Sequence, residues 1–309
     1  MTAVWFAALA LLLAGPVPAL LARARWTWQV PRAALVLWQS VALAAVLATL
    51  GAGLASLSLL FTEEPGFPFL ARHGPVQTTL IGLGSTLVAI VTVRFWIVAT
   101  LVGIRTRRRR RRHRDLVDLL HRKESVSEVD AALLSETGVR VLTGPGRVAY
   151  CVPGVRSRVV VSDAMLNSLT PEEVRAVLAH ERAHLRARHD LVLEGFTALH
   201  AAFPRFVSSQ AALDAVRLLV EMLADDAARR HTGSLPLARA LVSMAGQPEG
   251  DAEMPVGSAA LARVRRLAAR PARRGVSVLT YAAAAVVLGG PTLAVAVPWL
   301  QLSYRALVR

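Results

Sequence analysis

The sequence predicts an α+β chain: a polytopic α-helical membrane protein with four transmembrane helices and a mostly helical cytoplasmic domain carrying a small β-sheet. Three observations predict this. The 309 residues are 54% hydrophobic with a mean hydropathy of +0.46, too apolar for a soluble domain of this length. Four apolar runs each reach the roughly 20 residues that an α-helix needs to cross about 30 Å of hydrocarbon. Between the third and fourth runs lies a polar stretch of about 160 residues, long enough to bury a core of its own.

The expected spans are residues 3–21, 33–61, 76–104 and 276–300. The first has no basic residue ahead of it and Arg23 and Arg25 behind it. A cleaved signal peptide shows the opposite order, so this run is read as a retained helix with its N-terminus outside. Basic residues gather on the cytoplasmic side of membrane proteins. Arg23, Arg25 and Arg32 therefore place the first connection inside, and Glu63 and Glu64 against a lone Arg72 place the second outside. The arginine run after the third span, and the basic stretch before the fourth, both fall inside. Residues 1–104 thus hold three spans, 105–114 are a polybasic juxtamembrane segment, 115–275 form the cytoplasmic domain, 276–300 the last span and 301–309 a short external tail. Arg94, inside the third span, is read as reaching the cytoplasmic interface with its long side chain.

The net charge of +15 is concentrated: eight arginines lie between Arg105 and Arg114 and six more between Arg263 and Arg274. Nucleic acid is not expected as a partner, because no aromatic residues interleave the first run to stack on bases. Just inside a membrane span, Arg105–Arg114 is read as setting topology and binding anionic lipid headgroups. Cys151 is the sole cysteine, so an intrachain disulfide is excluded, and the residue is read as a small buried hydrophobe.

Within the domain, "DLVDLLHRKESVSEVDAALLSETG" reads as a helix followed by polar connections. "VRVLTG", "RVAYCVPG" and "RVVVSDAM" then read as short strands of a β-meander or hairpin, with Pro153 and Gly154 in a turn. The next helix announces itself. In "SLTPEEVRAVLAHERAH", Thr170 is the N-cap, Pro171 the first helical residue and Glu173 the third, a capping box. On that helix His180 and His184 are four apart on one face, with Glu181 one step from His180.

That pattern is what a hydrolytic zinc site requires. Two neutral imidazoles hold the metal, and the carboxylate of Glu181 takes a proton from the attacking water. A third protein ligand is needed. Glu221 and Asp225, four apart on the helical pattern "ALDAVRLLVEMLADDAARRH", offer a carboxylate ligand and an acceptor for a ligand imidazole. Glu194 is the nearest rival. By helical arithmetic His189 and Asp190 lie off the His180/His184 face, in structural or supporting positions.

"LTPEEVRAVLAHERAHLRARHD" followed by "EMLADDAA" resembles the membrane-bound zinc peptidases of the BlaR/MecR antirepressor type, and their relatives of the HtpX and CAAX-prenyl-protease type. These share HExxH and a later ExxAD, and the plan of three helices, cytoplasmic protease and fourth helix is similar. The resemblance implies a zincin-like domain with Glu221 as third zinc ligand and Asp225 supporting the site. It also implies that the strand around Val159 to Ser162 holds an extended substrate by edge pairing. Members that sense β-lactams carry a large penicillin-binding domain after the fourth helix. This sequence ends at Arg309, so direct antibiotic sensing is not expected of it.

The sequence therefore predicts a membrane zinc metalloendopeptidase that cleaves a protein on the cytoplasmic side, its substrate a transcriptional repressor or another regulator. Quality control of membrane proteins, as in HtpX-type enzymes, is the alternative within the class. A non-catalytic signalling scaffold with a structural zinc is the alternative outside it, and Glu181 argues against that, since a structural site has no need of a carboxylate there.

Overall fold

The computed structural model describes residues 2–61, 74–120, 138–154, 157–203, 209–245, 256–269 and 274–307. The external loop expected after the second span and the polar connection expected after Leu120 lie largely outside the described residues. The described residues are mostly helical with one small sheet, and the chain divides into two compact units.

The first unit comprises residues 1–100, 198–212 and 273–309. It contains α1 (Thr2–Ala14), α2 (Pro16–Arg23), a 3-10 turn (Arg25–Gln29), α3 (Pro31–Phe61), the start of α4 (Pro75–Leu120) and α11 (Arg274–Leu307). Gly15 and Pro16 break the first apolar run into two helices, as expected where a proline removes an N–H donor. α3 packs against α1 and α11, with Leu13, Leu37, Val41, Ala44 and Ala284 buried together. Among the described residues, four helical stretches are long and apolar enough to cross a membrane: Ala3–Arg23, Pro31–Ser56, Thr78–Leu119 and Arg274–Ala294. Leu80, Leu83, Leu87 and Ile90 of α4 stay exposed, which is compatible with a membrane protein. Arg94 has a specific partner: its Nε donates to the Ala202 carbonyl at 2.9 Å, at the C-terminal end of α7 (His189–Ala202), where a cation is favoured.

The second unit comprises residues 101–197 and 213–272. Its sheet has β1 (Val139–Leu142), β2 (Ala149–Val152) and β3 (Arg158–Ser162) in the order β1-β3-β2, with β1 parallel and β2 antiparallel to β3. β2 and β3 form the expected hairpin, but the meander is not what forms. β3 carries three successive valines, all buried, and takes the centre, while the less buried β1 and β2 take the edges. On one face Val139, Val159 and Val161 join Met165, Leu169, Val174, Val177 and Leu178 in a core. On the other, Val152 and Val160 pack on Val117 of α4.

This order corrects the expectation that β3 offers an edge to substrate, since both its sides are paired. The outer strands are β1 and β2, and β2 is the one that lies against the helix Pro171–Ala187. Val148 and Ser162 exchange contacts across the ladder, Ser162 N donating to the Val148 carbonyl at 2.9 Å and Val148 N to Ser162 Oγ at 3.0 Å. By antiparallel alternation Tyr150 and Val152 also face β3, so the N–H and C=O groups of Ala149 and Cys151 face away from it. Among the described residues no strand pairs there.

Ser162 then caps α5 (Asp163–Ser168), and Thr170 caps α6 (Pro171–Ala187). The capping box forms in full: Glu173 N donates to Thr170 Oγ1 at 3.4 Å, and Thr170 N donates to Glu173 Oε2 at 2.9 Å. α6 lies against β2 and β3 and against α9 (Ser234–Met244). α8 (Ser209–Thr232) and α10 (Val256–Ala268) contribute Ala228 and Leu267 to a second cluster with Ala176 and Leu237.

Candidate active site

The centre of α6 is anchored from both ends of its apolar stripe. Val174, Val177 and Leu178 enter the core against the sheet, and Ala176 enters the cluster with Ala228 and Leu237. That orientation sends His180, buried, and His184, half-buried, toward α8. There Nε2 of His180 lies 3.2 Å from Nε2 of His184 and 3.2 Å from Glu221 Oε2, and His184 Nε2 lies 3.5 Å from Glu221 Oε1. A tetrahedral ion with ligands at about 2.1 Å separates its donors by about 3.4 Å, so these spacings and this imidazole–carboxylate donor set fit zinc. His180, His184 and Glu221 form a group able to hold a metal ion.

The outer ring nitrogens have partners as well. Nδ1 of His180 lies 3.0 Å from Asp225 Oδ1, a close but bent contact that acts on the ring largely through charge. Nδ1 of His184 lies 3.2 Å from Nδ1 of His189. His189 reaches it because α6 ends at Ala187 and Arg188 adopts the left-handed conformation (φ 51°, ψ 42°), reversing the chain into α7. Asp190 and Glu194 sit elsewhere, at 2.8 Å and 3.7 Å from Arg110 on α4, so the rival ligand Glu194 is outside the cluster.

Burial sets the protonation of this cluster. It opposes charge on His180, but the carboxylates of Asp225 and Glu221 beside the ring outweigh it and lift the imidazole to about 9. Burial pushes His184 down to about 4, and His189 shifts down for the same reason. The carboxyl of Glu221 resists burial, because Arg263 and His180 hold it well below the usual range, and Arg263 does the same for Asp225. Burial dominates at Glu181, raising it to about 7, a value suited to exchanging protons at neutral pH. Burial, and then the negative charge of Glu181, push the thiol of Cys151 on β2 up to about 12, which keeps it a thiol and not a thiolate.

A cavity of about 490 Å³ opens beside His184 along the β2 edge. Tyr150 and Cys151 line one side, Asp190 and Glu194 of α7 another, and Arg110 and His113 of α4 a third. His113 Nε2 lies 3.0 Å from the Tyr150 hydroxyl. The arginines of residues 105–114 are therefore not all alike: Arg110 pairs with α7 and Arg114 sits over Gly154, while Arg107, Arg108, Arg109, Arg111 and Arg112 are exposed.

Residues 107–244 match the family model for Peptidase family M48. The match supports a zincin-type metallopeptidase over that segment, and its limits enclose the strands and the cluster of α6 and α8. Comparison with curated proteins and with solved structures gave no match.

One participant escaped the sequence, and another was reached by an unforeseen route. His189, expected in a structural or supporting position, comes against His184 through the turn at Arg188, where a left-handed residue that is not glycine leaves no local signal. Arg263 was hidden among six neighbouring arginines. Its guanidinium lies 2.8 Å and 2.7 Å from the two Asp225 oxygens and 3.1 Å from Glu221 Oε2. Arg229 pairs instead with the Asp226 carboxylate, and Arg230 donates to the Asp226 backbone carbonyl.

Proposed function

We propose that this chain is a membrane-embedded, zinc-dependent endopeptidase that cleaves a protein substrate on the cytoplasmic side. The observation that carries the reading is the convergence of His180, His184 and Glu221 at tetrahedral spacing, with Glu181 adjoining, inside the segment matched to a peptidase family. His180, His184 and Glu221 would hold the zinc, and Asp225 would orient His180. Zinc supplies polarisation of the scissile carbonyl and lowers the pKa of water nearby. Glu181 removes one proton from the water whose oxygen attacks the carbonyl carbon, and passes a proton to the amine nitrogen as the C–N bond breaks. The substrate segment lies extended along β2, accepting hydrogen bonds from the outward N–H groups of Ala149 and Cys151 and donating to their carbonyls.

The substrate is proposed to be a transcriptional repressor or another regulator, on the resemblance of "AHERAH" and "EMLAD" to the antirepressor type. The exposed arginines beside the cavity meet anionic lipid headgroups. The test is zinc content and cleavage measured together on the parent, Glu181→Ala and Glu221→Gln, with the chain itself and regulators encoded beside it as substrates. One zinc in the parent and in Glu181→Ala, less in Glu221→Gln, and cleavage by the parent alone are expected. A parent that takes up no zinc after reconstitution overturns the reading.

A further inference from the structure

We infer that Arg263, on α10 beyond the segment matched to the peptidase family, is a positioning residue of the metal centre. The inference rests on the reading that His180, His184 and Glu221 bind zinc. Its basis is a single planar group that meets three members of the site at once. Nε and Nη2 of Arg263 grip the two oxygens of Asp225 at 2.8 Å and 2.7 Å, Nη1 reaches Glu221 Oε2 at 3.1 Å, and Nη2 lies 3.5 Å from His180 Nε2. The bidentate fork fixes the plane of the Asp225 carboxylate, which a point charge does not do. With that plane fixed, Oδ1 stays against Nδ1 of His180, and Nε2 of the same ring is turned inward. The third contact restrains Glu221, leaving its Oε1 toward His184.

Arg263 is itself held. One turn further along α10, Arg266 binds Asp226 Oδ2 at 2.6 Å and the Met222 carbonyl at 3.3 Å, and Leu267 is buried in the cluster with Ala176 and Ala228. The Arg263 side chain is 14% exposed, so the fork works in a setting where water competes weakly.

Two roles for this cation predict opposite signs. As a mere charge 3.1 Å from a metal-binding carboxylate, Arg263 would repel a dication, and its removal would tighten metal binding. As a positioning group its removal loosens binding, because Asp225 and Glu221 lose the geometry that aims the donors. We assign the second role.

The experiment titrates the full-length metal-free chain with Zn²⁺ against a chromophoric chelator, and records the visible spectrum of the Co²⁺ form. Arg263→Gln and Arg263→Lys are both expected to weaken zinc ten- to hundredfold and to alter the Co²⁺ bands, lysine failing to rescue because it lacks the fork. Arg266→Gln, which loosens α10 without touching Asp225, is expected to keep zinc affinity within about threefold of the parent. Parent-like or tighter binding by the Arg263 variants overturns the inference, as does an equal loss in Arg266→Gln. Should Arg263→Gln not fold by circular dichroism, Arg263→Lys decides alone. A parent that binds no metal overturns the zinc centre itself, an outcome distinct from variants that match a metal-binding parent.

Discussion

Nδ1 of His189 lies 3.2 Å from Nδ1 of His184, although the two residues belong to different helices. With His184 neutral, that contact lets its Nδ1–H donate outward and leaves the Nε2 lone pair facing His180 and Glu221. His189→Ala removes the acceptor and should weaken zinc binding about tenfold while leaving α6 helical. A chelator competition titration checks it. Unchanged affinity would mean that helix packing alone orients His184.

Glu181→Gln tests the proton carrier apart from the metal. The amide keeps the size and loses the basicity, so zinc stoichiometry should stay at that of the parent while turnover falls by about 10²-fold or more. Metal analysis and cleavage of the same preparation separate the two. If the variant still turns over at the parental rate, another group moves the proton.

Metal uptake should depend on pH with a defined sign. In the metal-free protein burial disfavours the His180 cation, yet Asp225 and Glu221 raise its pKa to about 9, so at pH 7 that ring carries a proton which zinc must displace. Affinity should therefore rise with pH, by up to about tenfold per unit below 9, with roughly one proton released per zinc near neutrality. The same raised pKa stabilises the metal-free fold fully below the unfolded histidine value, and that contribution is lost as pH rises through 9. Calorimetry in buffers of different ionisation enthalpy counts the protons. Zero release at pH 7 would contradict the assignment.

The capping box on α6 lies ten residues from His180, at Thr170. Thr170→Ala removes the acceptor for Glu173 N and should cost about 1 kcal/mol of stability without changing the Co²⁺ spectrum. Thermal melting and the spectrum together check this. A shifted spectrum with unchanged melting would reverse the expected order of effects.

What the sequence made legible was local. The start of α6 could be read because threonine, proline and glutamate at successive positions each carry their own backbone chemistry, and the four apolar helices because span length is counted directly. The meeting of His180 and His184 with Glu221 rested on a spacing of four within each helix, joined by a family resemblance. Three features were not legible, for physical reasons. The sheet order depended on which strand could be buried on both faces, a tertiary question that favoured the valines of β3. His189 returned to the site through a left-handed Arg188, a conformation that nothing in an arginine announces. Arg263 looked like any of six basic residues, because its role comes from α10 folding back on α8.

The unpaired side of β2 has a cost for the molecule as well as a use. A strand that leaves its backbone groups open is a template for any extended chain, including the same strand of another copy. Ala149, Tyr150, Cys151 and Val152 carry no charge to discourage such self-pairing. The deterrent lies next to them: Arg109, exposed on the cavity wall, and the arginines around it would be brought face to face in any edge-to-edge encounter. Like charges on every copy raise the concentration at which such pairing begins, and added salt, by screening them, lowers it. The same basic wall that borders the cavity beside His184 thereby opposes pairing between copies.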